Sequence, residues 1–198
     1  LLGNTKEGIT QSQDKHRLIP GGEDFSFLPR LLLIMTGRQA TLSYFDYNRQ
    51  VVKGKKSLTP FKTDDGTQIG AAVCSSIISP EDYRSLTRQG ATVLTNSASL
   101  DIFEGSRVFA YQQKSLAKFM SIANSRYFLQ SANSASAYAL DNNGKQITET
   151  KGISTVNVMA KDNSRKTPYS YLGEYLAVIG AAVCVWLFID RQRKKIKR

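Results

Sequence analysis

The middle of the chain alternates between short apolar runs and longer amphipathic stretches. The apolar residues of Gln68–Cys74 predict a buried strand, and those of Ala91–Asn96 predict a second one. Between them, Pro80–Gly90 has a proline in its first turn, acids early, an arginine late and a glycine at its end, which predicts a helix. Tyr111–Ser125 carries apolar residues at helical spacing. Strands and helices therefore alternate, which is typical of an α/β fold.

Less regular patterns flank this unit. Downstream, three more strands are predicted, over Arg126–Gln130, Ala135–Leu140 and Thr148–Met159, with a turn at Asp141–Gly144. Upstream, residues 36–67 mix strand-like pieces (TLSYF and SLTPF) with turn residues, and residues 1–14 are predicted to be a loop after a brief apolar start. The mostly apolar Leu28–Met35 fits a short helix. Two interpretations fit its side chains and those of Phe25 and Phe27 equally well. They form either a lid that touches lipid or a part of the core.

The last part of the chain predicts a transmembrane helix, roughly Leu172–Ile189. Its 15 residues from Tyr175 to Ile189 carry no charge, and Glu174 is the one acid near its start. A bilayer core needs roughly 20 apolar residues. A buried core helix is the alternative, but it does not account for the next eight residues, RQRKKIKR, of which six are basic. Such a tail places the C-terminus in the cytoplasm and the preceding domain on the opposite face of the membrane.

Composition narrows the function classes. The chain has 27 basic and 16 acidic residues, so its net charge is +11, and six of the basic residues lie in the tail. The other basic residues are scattered, with no arginine stripe, so we do not expect nucleic acid as a partner. We find neither metal-ligand spacing nor a glycine-rich phosphate loop, so no metal or cofactor is expected. Cys74 and Cys184 are too far apart in the predicted architecture to suggest a disulfide.

Cys74 is the candidate nucleophile. It ends a predicted buried strand and precedes a predicted helix, a position that exposes a side chain at the edge of a sheet. A small buried hydrophobe is the alternative interpretation of a lone cysteine. A reactive thiolate needs a positive neighbour or a base, and Lys15 and His16 are candidates whose distance the sequence leaves open.

Four segments resemble the nitrilase, or carbon-nitrogen hydrolase, superfamily in the form found in apolipoprotein N-acyltransferases. Asp14–Leu31 (DKHRLIPGGEDFSFLPRL) is similar to the motif DK-x-x-L-V-P-F-G-E, and Val73–Ser99 is similar to the strand with the cysteine motif CYE-x-x-x-P. Ala117–Ile147 resembles the helix motif AR-x-RA-x-E-x-GR and the strand and turn that follow it. Thr167–Leu176 (TPYSYLGEYL) resembles the entry into the last transmembrane helix of the N-acyltransferases.

The resemblance implies an αββα sandwich and a catalytic site. It assigns the nucleophile to Cys74, the lysine that stabilises an oxyanion to Lys15, and an additional glutamate to Glu23. The implied reaction moves an acyl chain from a phospholipid, through a cysteine thioester, to the amine of a diacylglyceryl-cysteine lipoprotein. The implied partners are the phospholipid donor, the lipoprotein acceptor and the bilayer of the plasma (inner) membrane, and a monomer is expected.

The chain also departs from the family pattern. Ser75 and Ser76 follow the cysteine where the family has an aromatic and an acidic residue, so only auxiliary roles are expected for them. The general-base glutamate of the family belongs on an early strand, and only 13 residues precede Asp14. We therefore expect an incomplete, C-terminal part of the sandwich over residues 1–168, a membrane helix over 169–190 and a basic tail over 191–198. A membrane-tethered amidase and a catalytically impaired lipid- or lipoprotein-binding relative remain alternatives.

Overall fold

The computed structural model describes residues 2–4, 8–19, 23–25, 27–47, 54, 57–101, 106–150, 158–161 and 163–196. The strands are β1 (Leu2–Asn4), β2 (Gly8–Gln11), β3 (Phe61–Lys62), β4 (Gln68–Val73), β5 (Val93–Ser99), β6 (Tyr127–Asn133), β7 (Tyr138–Leu140) and β8 (Gln146–Glu149). The helices are α1 (Phe27–Met35), α2 (Gln39–Tyr47), α3 (Pro80–Arg88), α4 (Arg107–Asn124), α5 (Pro168–Leu172) and α6 (Tyr175–Ile196), and a 3₁₀ turn spans Cys74–Ile78.

The main sheet has six strands in the order β3-β4-β5-β6-β7-β8. Its centre is parallel, because the helices α3 and α4 connect β4 to β5 and β5 to β6 and return the chain to the same end of the sheet. The outer strands β3, β7 and β8 pair antiparallel with their neighbours through short turns. This mixed sheet with crossover helices confirms the predicted α/β class, and it forms one layer of the expected sandwich.

The core lies between the sheet and the helices α3 and α4. Alternate residues of each central strand point into it, as the pleat requires. Leu94 on β5 and Phe128 on β6 are completely buried, and the ring of Phe128 lies 5.4 Å from that of Tyr83 on α3. Fully burying a side chain of this size stabilises a fold by about 2 kcal/mol. This packing fixes the carboxyl ends of β4, β5 and β6 side by side.

Four sequence predictions differ from the structure, and the first is the strand-like piece SLTPF, of which only Phe61 lies in a strand, β3. The TLSYF piece lies within α2, so the prediction of a strand there is wrong. Residues 1–14 contain the antiparallel pair β1–β2 instead of a loop. The predicted strand Thr148–Met159 is confirmed only at its start, because β8 ends at Glu149, and residues 151–157 lie outside the described ones. In each case short local patterns are ambiguous, and pairing with distant residues decides the outcome.

The helix α1 is apolar and exposed. None of its residues is buried, and Phe27, Leu32 and Met35 are each more than half exposed. It forms a hairpin with α2 in which the guanidinium of Arg30 donates two hydrogen bonds to the carboxylate of Asp46, at 2.9 and 3.2 Å. The interpretation of this segment as core is therefore wrong, and its apolar surface is free to meet a non-aqueous environment.

The predicted membrane helix is present with shifted bounds. Gly173, at φ 55°, separates α5 from α6, so the long helix begins at Tyr175 instead of Leu172 and continues through the basic residues to Ile196. Its stretch Tyr175–Lys194 is long and apolar enough to cross a membrane, and none of the apolar window is buried in the described structure. This exposure argues against the alternative of a core helix.

Candidate active site

Cys74 lies at the point where β4 ends and the 3₁₀ turn begins. Its backbone is left-handed, with φ 52°, whereas Val73 before it is extended at φ −126°. Few residues other than glycine adopt this conformation, and its cost is about 1 kcal/mol or more. Such outliers concentrate at functional sites, and the sharp turn lifts the half-buried thiol out of the strand. The predicted position of Cys74 at the end of a buried strand is confirmed.

Lys15 and Glu23 form an ion pair near this turn. The Lys15 ammonium donates to both carboxylate oxygens of Glu23, at 2.5 and 2.6 Å, and the two side chains are 16% and 19% exposed. The backbone N–H of Ile19 donates a further hydrogen bond to Glu23, at 2.8 Å. Charge-assisted hydrogen bonds of this kind are short and fix geometry. The structure thus brings together two of the three residues that the resemblance assigns to the site.

A set of hydrogen bonds holds the segment with Lys15 against the turn with Cys74. The hydroxyl of Ser75 donates to the carbonyl oxygen of Arg17. Asp82 on α3, which is 3% exposed, receives the Nε–H of Arg17 at 3.3 Å and lies 3.2 Å from Nδ1 of His16. On the other side, the N–H of Gly54 donates to the carbonyl oxygen of Lys15 at 2.8 Å. His16 therefore contacts α3, and the loop is anchored at both ends.

Gly54 also permits the close approach of two segments. A Cβ atom at this position would lie 2.1 Å from Cβ of Asp14, which is far inside any normal contact distance. A residue with a side chain would therefore push the Asp14–Lys15 segment away.

A small apolar cavity of about 150 Å³ opens beside Cys74. Ile19 lines it, so the residue whose N–H binds Glu23 also forms a wall next to the thiol. The remaining walls come from the 3₁₀ turn and the first turns of α4, namely Ser75, Ile77, Ile78, Phe109, Gln112, Gln113 and Leu116. Apolar walls exclude water, which suits an intermediate that water would hydrolyse.

A larger groove of about 780 Å³ lies beside this cavity and reaches the start of α6. Ile78 lines both spaces. The groove combines apolar side chains with the charged groups of Arg17, Glu81, Arg84 and Glu174, and it reaches Tyr175 and Val178 on α6. Arg84 is tied in place, because it pairs with Glu81 at 2.6 Å and donates to the carbonyl oxygen of Tyr171 at 3.3 Å. The groove thus lies between Ile78, in the wall of the cavity beside Cys74, and the start of α6.

The two serines after Cys74 have different surroundings. Ser75 bridges to Arg17, whereas the fully buried hydroxyl of Ser76 has no hydrogen-bond partner among the described residues. If Cys74 is acylated as the resemblance implies, we expect Ser75→Ala to slow that step about tenfold, because one hydrogen bond to the loop with Lys15 is lost. The matched variant Ser76→Ala should instead raise the free energy of unfolding by about 1 kcal/mol, because an unsatisfied buried hydroxyl is removed. Single-turnover kinetics measures the acylation rate, and thermal melts measure the stability. If the two variants changed the rate and the stability equally, the different roles assigned to Ser75 and Ser76 would be contradicted.

The segment Ser97–Gly105, in which β5 ends, is described only up to Asp101. The Asp101 carboxylate accepts hydrogen bonds from the hydroxyl of Ser134, from that of Ser99 at 3.2 Å and from the amide of Asn133 at 2.9 Å. These bonds, that of Ser134 first, lower the pKa of Asp101. Asp101 therefore links the ends of β5 and β6, and Phe103 and Gly105 lie outside the described residues.

Sequence reasoning missed three residues of this region. Asp82 was seen only as an acid in the first turn of a helix, although it holds His16 and Arg17 from more than 60 positions away. Ile19 and Gln113 were not singled out, because contacts between distant segments bring them to the cavity. Among the residues described, no group of three or more His, Cys, Asp or Glu side chains is arranged to hold a metal ion.

Comparisons with known proteins identify relatives of this architecture. A stretch of 123 residues, or 60% of this chain, is 28% identical to Apolipoprotein N-acyltransferase 1 of Treponema denticola and corresponds to 22% of that protein's length. A carbon-nitrogen hydrolase from Helicobacter pylori G27 gives a TM-score of 0.45 at 16% identity, over 50% of this chain and 41% of that one. Nit3 from Saccharomyces cerevisiae, a member of the nitrilase superfamily, gives 0.44 at 20% identity, over 54% and 41%.

The family match covers the whole site. The sequence model for carbon-nitrogen hydrolases matches residues 1–162, a range that includes the ion pair of Lys15 and Glu23, the turn at Cys74 and all strands of the mixed sheet. With this match across most of its length, the chain belongs to the carbon-nitrogen hydrolase family.

Proposed function

We propose that this chain is part of a membrane acyltransferase. It would take an acyl chain from a phospholipid onto Cys74 and pass it to the N-terminal amine of a diacylglyceryl-cysteine lipoprotein. The observation that carries the proposal is the groove that extends from Ile78, which it shares with the wall of the cavity beside Cys74, to Tyr175 and Val178 on α6. A lipid substrate needs such a route between bilayer and nucleophile, whereas a small soluble amide does not. The similarity to Apolipoprotein N-acyltransferase 1 of Treponema denticola also supports this proposal.

Exposed apolar surface supports a lipid environment. α6 has the length of a membrane span, and α1 presents Phe27, Leu32 and Met35 outward just after Glu23. Under the proposal, α1 rests in the interface of the bilayer while α6 crosses it. The basic residues after Asp190 hold the C-terminus in the cytoplasm, so the catalytic domain lies on the outer face of the plasma (inner) membrane of a multi-pass protein.

The chemistry follows two transfers. The sulfur of Cys74 attacks the ester carbonyl carbon of the phospholipid, a C–S bond forms, the C–O bond breaks, and the thiol proton ends on the lysophospholipid hydroxyl. The acceptor amine then attacks the thioester carbon, a C–N bond forms, and the sulfur leaves with the proton that the amine loses. The ammonium of Lys15 is the group assigned to stabilise the oxyanion in both steps, and Glu23 holds it in position.

Acylation of Cys74 tests this function directly. The full-length protein in detergent is mixed with phosphatidylethanolamine vesicles and its intact mass is measured. We expect one acyl chain to be added, to be released by hydroxylamine as a thioester, and to be absent from Cys74→Ala. The matched variant Cys184→Ala, in which the other cysteine is replaced, should retain the adduct. An adduct that is missing from the parent, or present in Cys74→Ala, would refute the proposal.

A membrane-tethered amidase is the second candidate, because the family as a whole consists of carbon-nitrogen hydrolases. It predicts turnover of small amides without lipid and no stable acyl adduct from phospholipid. A catalytically impaired relative, suggested by Ser75 and Ser76, predicts neither activity. The same mass measurement, together with an assay for ammonia release from small amides, separates the three.

A further inference from the structure

Gln113 is buried without a hydrogen-bond partner. Its side chain projects from α4 and is 5% exposed. No hydrogen bond joins its amide group to any other residue within the described part of the chain, whereas the buried amide of Gln130 accepts a hydrogen bond from Asn96 at 3.1 Å and donates one to the carbonyl oxygen of Ser131 at 3.0 Å. Its amide group borders open space and is not among the buried polar groups that are closed off without a partner. The donor and the acceptor of this carboxamide are therefore available to a bound molecule.

The position of Gln113 shows where that partner would lie. Gln113 lines the cavity of about 150 Å³ beside Cys74. It also lines a second cavity of about 470 Å³, which opens at the carboxyl ends of β5 and β6. Phe109, one turn earlier on α4, is the other residue that borders both. Gln113 therefore lies at the boundary between the space next to the thiol and a roomier space beyond it.

The second cavity has mixed walls, more apolar than polar, and several of its side chains are small. Ser106, Ser134 and Ser136 contribute hydroxyl groups, while Ala110 and Ala135 leave room for a backbone to approach. Its volume lies in the range of ligand sites, about 300–1,000 Å³. The first cavity, at about 150 Å³, is smaller and mainly apolar, so it suits the thioester end of an acyl chain and not a second substrate.

We infer that the second cavity binds the N-terminal peptide portion of the acyl acceptor and that Gln113 hydrogen-bonds its first residue. This inference rests on the proposed function. A carboxamide offers one donor group and one acceptor group. The N-terminal residue of a peptide offers the complement, with an amine N–H for Oε1 and a peptide carbonyl for Nε2. Binding of this kind directs the amine across the boundary, toward the thioester carbon on Cys74.

The role of Gln113 falls in the second transfer only. The amine nitrogen forms a bond to the thioester carbon, the C–S bond breaks, and the sulfur keeps the electron pair and receives the amine proton. Oε1 of Gln113 holds the amine with its lone pair toward the carbon, which lowers the entropic part of the barrier. The first transfer, from phospholipid to Cys74, involves no amine and needs no contact with Gln113.

The test measures the two transfers separately, in the full-length protein that carries the substitution Gln113→Leu. Cys74 is first acylated from phosphatidylethanolamine vesicles, and an S-diacylglyceryl-cysteinyl tetrapeptide or hydroxylamine is then added. We expect acylation within about twofold of the parent, peptide transfer slowed about tenfold to a hundredfold, and unchanged release by hydroxylamine, which needs no peptide site. Gln113→Glu keeps the shape and the acceptor of the side chain but loses the donor. Its rate of peptide transfer should lie between those of the parent and Gln113→Leu. Ser115→Leu, an exposed position on the same helix, is the matched control.

Each other outcome overturns the inference. If Gln113→Leu passes the acyl chain to the peptide at the parental rate, Gln113 does not bind the acceptor. If hydroxylamine release or acylation falls as far as peptide transfer, the role of Gln113 is structural. A parent protein that is never acylated refutes the proposed function itself, so the two failures are distinguishable.

Discussion

Replacing Lys15 with methionine is expected to slow acylation of Cys74 by between about a hundredfold and a thousandfold. Under the proposed function, the Lys15 ammonium stabilises the developing oxyanion, and a group of this kind has its effect in the transition state. Methionine keeps the length of the side chain and removes its charge and donors. Glu23, at 19% exposure, would also lose two of its hydrogen bonds and keep that from the N–H of Ile19. The rate of adduct formation in single turnovers measures the effect.

Three comparisons make this result specific. Glu23→Gln keeps the lysine charge and weakens only its positioning, so a loss of about tenfold is expected. Lys62→Met removes an exposed lysine whose backbone, not its ammonium, is used in hydrogen bonds with Gln11, and it should leave the rate within about twofold. The melting temperature of Lys15→Met should fall, because the mostly buried Glu23 carboxylate loses its cation, so the rates are compared per folded molecule. If Lys15→Met were acylated at the rate of the parent protein, Lys15 would have no role in the mechanism.

The largest expected effect on stability comes from Arg126→Met. The Arg126 guanidinium, at 2% exposure, donates to the carbonyl oxygens of Ala91 and Arg165 at 2.7 Å each, and to those of Asn124 and Ser125 at 3.2 and 3.1 Å. It therefore joins the end of α4, the start of β5 and the segment that leads to α5. Methionine fills similar space but leaves buried carbonyl groups without this donor. We expect a loss of about 3 kcal/mol, or a melting temperature lower by about 10 °C.

Arg165→Met is the matched control for this prediction. Arg165 contributes its backbone carbonyl to the contact, while its own side chain is exposed. Its replacement should therefore change stability by less than about 0.5 kcal/mol. Arg126 lies at the end of the sheet opposite Cys74, so the acylation rate per folded molecule should be preserved in both variants. Equal melting temperatures of Arg126→Met and Arg165→Met would contradict the assigned role.

Much of the central fold could be predicted from the sequence, because its signals are local. Gln68–Val73 is a short apolar run and forms a strand, and Pro80–Arg88 carries start and stop signals and forms a helix. The predictions for the flanking segments were wrong for the opposite reason, because distant contacts and not local signals decide their structure. TLSYF has strand-forming residues, yet it lies in α2, which pairs with α1 through Asp46 and Arg30. Propensity over five residues is weaker than such tertiary contacts.

The candidate site could be predicted in part. Cys74 was found because a cysteine at the end of a buried strand is visible in the order of residues, and Lys15 and Glu23 were found through resemblance to a family. Ile19, Asp82 and Gln113 could not be found this way. Their significance depends on which surfaces meet, and an isolated isoleucine, aspartate or glutamine carries no local signal for that.

By itself, the sequence determined the elements whose cause lies within the element. The apolar length of α6 and its basic end follow from composition, and the turn after Val73 follows from the order of strand, cysteine and helix. Only the tertiary structure decided that Lys15 meets Glu23, that Ser75 holds the neighbouring loop, and that Gln113 faces two cavities without a partner. The reason is physical: a strand or helix depends on neighbours in the chain, whereas a binding site depends on distances between residues that only packing brings together.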